Sequence, residues 1–425
     1  VKAAWGIPFC LLALTAAAGC SASTEVAPDV QQQAAAGQPV TLRIMHVMDG
    51  SHPDALKAVT DSVTRRNPRI KFDIQQTSTV QYAELLKTKM ASGAAPDIVF
   101  GKVSEYTDIV KAGQIFDLSG QPFVDRMTDE VKKMMTVDGK IYGIAEDVFT
   151  LGVFYNKDMF KQYGLEVPAT YSEYVRVMET FRNNGIPPFA RTYKEQQWIR
   201  LEFLSEWRVI AAQKYPNFFL DIQSGAAKLS DYPEFRDTLA RFAKRLSYKS
   251  GDELGMYAYQ ALQSFAGGKF PMMILHSGNL TDIRKNNPEG HFGFFASAFS
   301  DNPDENKIFE SPDSAFMITS QSKHKAEALE LFDYMLSPEG WNDWSTHVSA
   351  IPAMKNAAPA KSEPMIDDIL AYQKAGKITG DVFLYTGEAK KKEFEMYQQF
   401  ASKPGVNVDE FVKQWEKQFQ GTNAP

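Results

Sequence analysis

Cysteine is nearly absent from this chain: of 425 residues only Cys10 and Cys20 carry a thiol. The body beyond them has no disulfide, no thiolate metal site and no cysteine nucleophile. Histidine is sparse, six in all, with no pair at zinc-ligand helix spacing. Positive charge is not in excess: 46 Lys and Arg stand against 52 Asp and Glu, a formal net charge of -6. That balance argues against nucleic acid, whose phosphates are met by clustered cations. Beyond the first twenty residues no apolar run is long enough to span a bilayer. There is no G-x-S-x-G elbow, no H-E-x-x-H, no P-loop, no dinucleotide fingerprint and no fixed-period repeat.

What is present has the composition of a soluble globular protein, 44% hydrophobic and 23% charged. The length exceeds one comfortable core, so two domains are expected. Aromatics are 12% of the chain, enough to fill a core and still furnish an aromatic-lined site. Residues 1–20 combine Lys2, a short apolar stretch and Ala17-Ala18-Gly19-Cys20. That suits an export signal, and its end resembles the bacterial lipobox, in which the cysteine, here Cys20, is lipidated. Residues 21–39 are rich in Ala, Gln, Ser and Pro and read as a disordered tether, spanning on the order of 25 Å. The expected location is outside the cell membrane, held by that anchor.

From Thr41 strands alternate with helices: TLRIMHVM, then Leu56, Val59 and Val63 at helical spacing, Ile70–Gln75, a second helix and DIVF. This argues for a mostly parallel sheet flanked by helices. Ligands of such sheets lie beyond the strands' carboxyl ends, which makes Asp49, His52, Ser104 and Glu105 candidates. The stretch 137–160 is pivotal. Asp138-Gly139 marks a hairpin, IYGIA reads as a strand, and the run ends on Glu146 and Asp147 before a second apolar run, Leu151–Tyr155. Two buried runs joined through a charged junction read as a crossing between lobes, with Asp147 facing the cleft. Thr170 with Glu173, and Asn407 with Glu410, have capping-box spacing. Residues 301–310 read as a solvated acidic loop, and Arg191, Lys194, Arg200 and Arg208 as a solvated helix face balanced by Glu202 and Glu206.

The ordered set ASGAAPDIVFG, AGQIFDLS, DGKIYGIAED, FYNKDMFKQYGLEVPATYSEY, FAGGKFPMMILHSGN, AEALELFDYMLSPEGWNDW and AIPAMKNA resembles the extracellular solute-binding proteins of carbohydrate ABC importers, the group that includes maltose-binding protein. The resemblance implies a two-lobed α/β fold with two or three crossing segments, divided as 40–146 with 298–347 and 147–297 with 348–419. It also implies sugar in the cleft, delivery to permease subunits in the membrane, a monomer and no cofactor. Asp147 matches an acidic sugar ligand of that group, Trp198 lies near a stacking aromatic, and Tyr385 near another. Lys102, Ser104 and Glu105 stand where that group's example has an Asp-Arg pair, and Asn279-Leu280 where it has Pro-Trp. Asn279 is a further candidate because an amide both donates and accepts.

Each candidate has a plainer reading. Trp198 shares a helical face with Leu201 and Leu204, so it can be core. Trp344 is a further ligand-binding candidate, but Trp341 and Trp344 are three apart, and at least one is expected in the core. The rival function is an exported carbohydrate-active hydrolase using a carboxylate pair, but adjacent Glu146 and Asp147 point to opposite faces of an extended segment. A metal receptor built on His46, Asp49 and His52 has too thin a ligand set.

Overall fold

A computed structural model describes residues 38–419, apart from 49, 50, 250, 252, 254, 313, 361, 383, 386 and 404. Cys20, most of the tether and Asp49 therefore lie outside the described residues.

The first sheet has the strand order Ala315–Ile318, Ile98–Gly101, Val40–His46, Ile70–Gln76. Val40–His46 runs parallel to both of its neighbours, and the returning strand Ala315–Ile318 is antiparallel. Parallel neighbours need crossover helices. His52–Arg66 and Thr79–Ala91 supply them, the first burying Leu56, Val59 and Val63 as their spacing predicts. Ser51 occupies the cap position of the first helix, but its side chain makes no capping bond.

The second sheet is antiparallel throughout, Leu151–Asn156 lying between Met272–His276 and Phe292–Phe295. The alternation of strand and helix that predicts parallel pairing is confined to the first part of the chain. Here more than a hundred residues, in which every named element is a helix, separate the first two partners. Side chains alternate across this sheet. Val153, Tyr155 and Phe295 pack with Tyr174 and Phe181, whereas Phe154, Met273 and Phe294 join the main core with Phe265 and Phe292. A third apolar cluster gathers Trp207, Phe203, Phe235, Tyr397 and Trp415 from the long helix Gln196–Lys214, the helix Pro233–Leu246 and the C-terminal helices.

Four distant segments meet in a further short sheet, the crossing sheet, through which the chain passes in turn. Asp147–Phe149 pairs antiparallel with Ile308–Pro312 on one side and Ile351–Pro352 on the other, and Ile378–Gly380 extends the edge. The first pass, Asp147–Phe149, leads into Leu151–Asn156 of the second sheet, and the second, Ile308–Pro312, into Ala315–Ile318 of the first. The hairpin before the first pass forms as expected, with Asp138 and Gly139 both at positive φ between Thr136–Val137 and Lys140–Ile141. The following run is strand only at its start. Ile144 makes a single bridge to Phe316, and Gly143 packs closely on Ala315 and Met317, where an added Cβ would lie 3.1 and 3.2 Å from their side chains. The capping box at Thr170 and Glu173 is present, and Asn407 Oδ1 accepts from the backbone N–H of Asp409 and Glu410.

Two expectations about charge are overturned. Residues 301–310 are a surface loop only in their first half. Ile308 and Phe309 draw the second half into the crossing sheet, and Glu310 goes with them, 1% exposed. Arg191, Arg200 and Arg208 are buried rather than solvated, and only Lys194 lies outside. Their charges are matched one by one. Arg191 grips Glu202 through two bonds of 2.9 Å. Arg245 bridges Glu202 and Glu206, Arg200 meets Glu393 at 2.7 Å, and Arg208 forks onto Asp381. Burial opposes ionisation of Glu202, but Arg191 and Arg245 outweigh it and hold the carboxyl below its usual range.

Candidate ligand-binding site

Asp147 opens the first pass of the crossing sheet. Its Oδ2 accepts a 2.8 Å hydrogen bond from the indole Nε1 of Trp344, and His52 Nε2 stands 3.6 Å from the same oxygen. Oδ1 has no donor among the described residues. Three distant segments thus converge on one carboxylate, and each is placed by local chemistry. His52 begins the first crossover helix, where the strand Val40–His46 delivers it. Trp344 is aimed by the helix Pro338–Ser345. That helix starts on Ser337, whose hydroxyl accepts from the Gly340 N–H, with proline in its first turn. Gly340 is required by space: a Cβ there would lie 2.0 Å from the carbonyl oxygen of Tyr334. The indole is buried, edge-on to His52 and Phe316 at 5.9 and 6.2 Å.

The neighbouring carboxyl behaves differently. Glu146 points the other way and is 2% exposed, and neither of its oxygens has a hydrogen-bond partner. Burial, and then the charge of Asp147, push its carboxyl well above the usual range. Burial thus favours its protonated form. The Asp147 side chain is partly exposed.

Cavities open on both sides of this strand. A narrower one of ≈ 230 Å³ is lined by His52, Asp147, Phe149, His276, Ser277 and Thr281, among others. A middle one of ≈ 480 Å³ shares His52 and Asp147 and adds Glu146, Trp344, Tyr106 and Lys102. A wide one of ≈ 630 Å³ shares Lys102, Glu105, Ser314 and Lys390 with the middle one. The three are neighbours that share these walls.

His276, at the end of Met272–His276, was not singled out by sequence reasoning; the polar loop after an apolar strand was its only signal. Its ring stacks on Phe149 at 4.1 Å, and its Nδ1 accepts from the Gly278 N–H at 2.9 Å. Burial lowers its pKa to about 4, helped by the positive charges of Arg208 and Lys102. A neutral imidazole with Nδ1 engaged carries its proton on Nε2, so it is a donor. Phe149 is held in turn between this ring and Arg208, whose guanidinium sits 5.4 Å from its centre.

The expected residues separate into three groups. Asp147, His52 and Trp344 meet directly. Ser104, Glu105 and Tyr385 line the wide cavity, Tyr385 as a buried side chain against Phe219 and Phe419. Trp198 and Asn279 line none of the three. Trp198 packs on the main core beside a ≈ 20 Å³ void, as its spacing with Leu201 and Leu204 allows. Asn279 precedes the helix Leu280–Asn286, while its neighbours Ser277, Gly278 and Thr281 face the cavity. Of the metal alternative, His46 is buried with Nδ1 accepting from the Met48 N–H. No group of three metal-ligating side chains occurs among the described residues.

The arrangement offers carboxylate acceptors, neutral donors and acceptors, and an aromatic wall. That set matches a polyhydroxylated guest: a carboxylate accepts from two vicinal hydroxyls, and ring faces cover C–H surface.

Comparisons with known proteins agree with this geometry. Residues 49–340 match the family model described as bacterial extracellular solute-binding protein. The chain is 26% identical over 322 residues to the multiple sugar-binding protein of Streptococcus mutans, covering 73% of this chain and 74% of that one. The apo form of RafE from Streptococcus pneumoniae superposes with a TM-score of 0.76 at 22% identity, over 91% of this chain and 99% of that one. A structure of RafE in complex with raffinose gives 0.70 at 22% identity, over 91% and 100%.

Proposed function

The chain belongs to the bacterial extracellular solute-binding proteins, and from that premise we propose that it captures a sugar or oligosaccharide for an ABC importer. The observation that carries the reading is the cleft itself. Asp147, positioned by Trp344 and His52, lines two of the cavities that lie beside the short sheet of distant strands. The names of a relative and a structural neighbour, a multiple sugar-binding protein and a RafE with raffinose, point to the same class of guest.

In this reading the lobes close over the sugar by flexing at the crossing sheet, and the ligand shifts the balance by touching both. The pairing of Ile308–Pro312 with Asp147–Phe149 supports putting the second crossing there rather than at residue 298. Ala298 packs with Val153 and Phe295, on the second-sheet side. Cys20 anchors the protein to the outer face of the membrane, residues 21–39 give it reach, and the monomer hands its ligand to permease subunits. No helix among the described residues is long and apolar enough to cross a membrane.

The test is an oligosaccharide panel against the protein, read by intrinsic fluorescence and thermal shift, with the sugar recovered and analysed. A saturable change with intact sugar supports the receptor. Cleaved sugar favours the hydrolase instead, and no response to any sugar defeats the reading.

A further inference from the structure

The two ends of the cleft carry opposite charge. The narrow end holds Asp147 and Asp282 against one cation, Lys285. The wide end holds Lys102, Lys133, Arg200 and Lys390 against Glu105 and Asp381. Asp381 is already neutralised by the fork of Arg208. None of the three lysine side chains makes a hydrogen bond or ion pair among the described residues. Lys133 and Lys390 are exposed and Lys102 is half-buried, so their ammonium groups are open to a guest.

The wall of the same cavity also holds donors without acceptors. Arg200 is 9% exposed, and while its Nε binds Glu393, its Nη2 is buried with no partner. The hydroxyl of Tyr385, 3% exposed, is likewise buried and unpaired. The two are close enough for the guanidinium charge to act on the phenol. Unmade bonds of this kind are costly, and a cavity with free lysines around two such donors is complementary to an anion. Arg offers a planar fork that suits a carboxylate.

We propose that the wide end of the cleft takes the carboxylate of an acidic sugar, so that the guest is an oligosaccharide bearing uronate units. This rests on the sugar-capturing reading above and narrows its substrate class. Asp147 holds hydroxyls of one unit, and the cationic end holds the acid of another. The neutral guest of RafE is not the template for that end.

Trigalacturonate, its methyl ester and the neutral galactotriose are titrated by calorimetry at low salt, with galactose 1-phosphate as a fourth probe. Trigalacturonate is expected to bind at least about ten-fold tighter than its ester, the loss that goes with one charge-assisted contact, and to weaken as salt is raised. Tyr385→Phe removes only an unpaired hydroxyl and Lys390→Gln alters an exposed side chain, so both fold. Together they are expected to cut the acid-over-ester ratio about ten-fold. Equal affinity for acid and ester, or a ratio unmoved by the variants, overturns the uronate assignment and leaves the sugar reading standing. Tighter binding of galactose 1-phosphate than of trigalacturonate also overturns it, in favour of a phosphorylated guest. Failure of all the probes, and of the wider panel, overturns the sugar reading itself.

Discussion

The sharpest quantitative expectation concerns Glu310, on the second pass through the crossing sheet. It is 1% exposed between Phe309 and Ser311. Burial, together with the charge of Glu130, raises its pKa from 4.5 to about 7, opposed in part by the Gln373 side chain. In the unfolded chain the group titrates near its ordinary value. Between the two values the folded protein holds a proton that the unfolded chain has lost, so stability falls as pH rises through this window. The shift from 4.5 to about 7 corresponds to about 3 kcal/mol in all, most of it lost between pH 5 and pH 7. Glu310→Gln keeps the shape and removes the titration. Whatever the amide costs is the same at every pH. Urea unfolding of both proteins across this range is expected to show the variant gaining on the wild type by about 2 kcal/mol or more as pH rises. Parallel curves would mean that the carboxyl ionises freely, and the argument for a dry crossing sheet would fall.

Other perturbations test the site and its scaffold. Asp147→Ala is expected to weaken sugar binding ten-fold or more in calorimetry, as a lost charge-assisted contact requires; unchanged affinity in a folded variant removes Asp147 from the site. Trp344→Phe deletes the N–H that donates to Asp147 and leaves a gap. It should lower stability by about 2 kcal/mol and abolish most of the sugar-dependent fluorescence change, while a persisting signal would assign that change to another tryptophan. Gly340→Ala forces a Cβ against the Tyr334 carbonyl. A loss of about 2–4 kcal/mol is expected, and a neutral effect on the melting temperature would show that the helix start can yield.

Periodicity made the elements legible, and the junction at Glu146 and Asp147 was legible as a crossing because two apolar runs flank a charged pair. The partner of Asp147 was not. Trp344 lies 197 residues away, and helical spacing alone could not separate it from Trp341, whose indole instead donates to the Ala358 carbonyl in the core. Trp198 shows the reverse. Its similarity to a stacking aromatic suggested the cleft, while its spacing with Leu201 and Leu204 correctly placed it on the core. Arg191, Arg200 and Arg208 were misread because local sequence shows only Glu202 and Glu206 nearby. Their other acceptors, Asp381 and Glu393, come from the far end of the chain. Glu310 was misread because a run of acids hides the Ile308-Phe309 pair that buries it.

Burial sorts the acids of the crossing sheet into different chemistries. The Asp147 carboxylate has solvent, the Trp344 N–H and His52 around it. One residue earlier Glu146 is dry and unpaired, so an ionised form would face a desolvation penalty of several kcal/mol with nothing to offset it. The neutral form instead presents one donor and one acceptor, the valence of a sugar hydroxyl. The middle cavity therefore meets its guest with the carboxylates of Asp147 and Glu105 and not with a third. A third fixed charge beside Lys102 and Lys390 would oppose the cations that distinguish the wide end. The charge gradient thus depends on the turn into one short strand, which buries Glu146 and leaves Asp147, at the strand's start, lining the cavity.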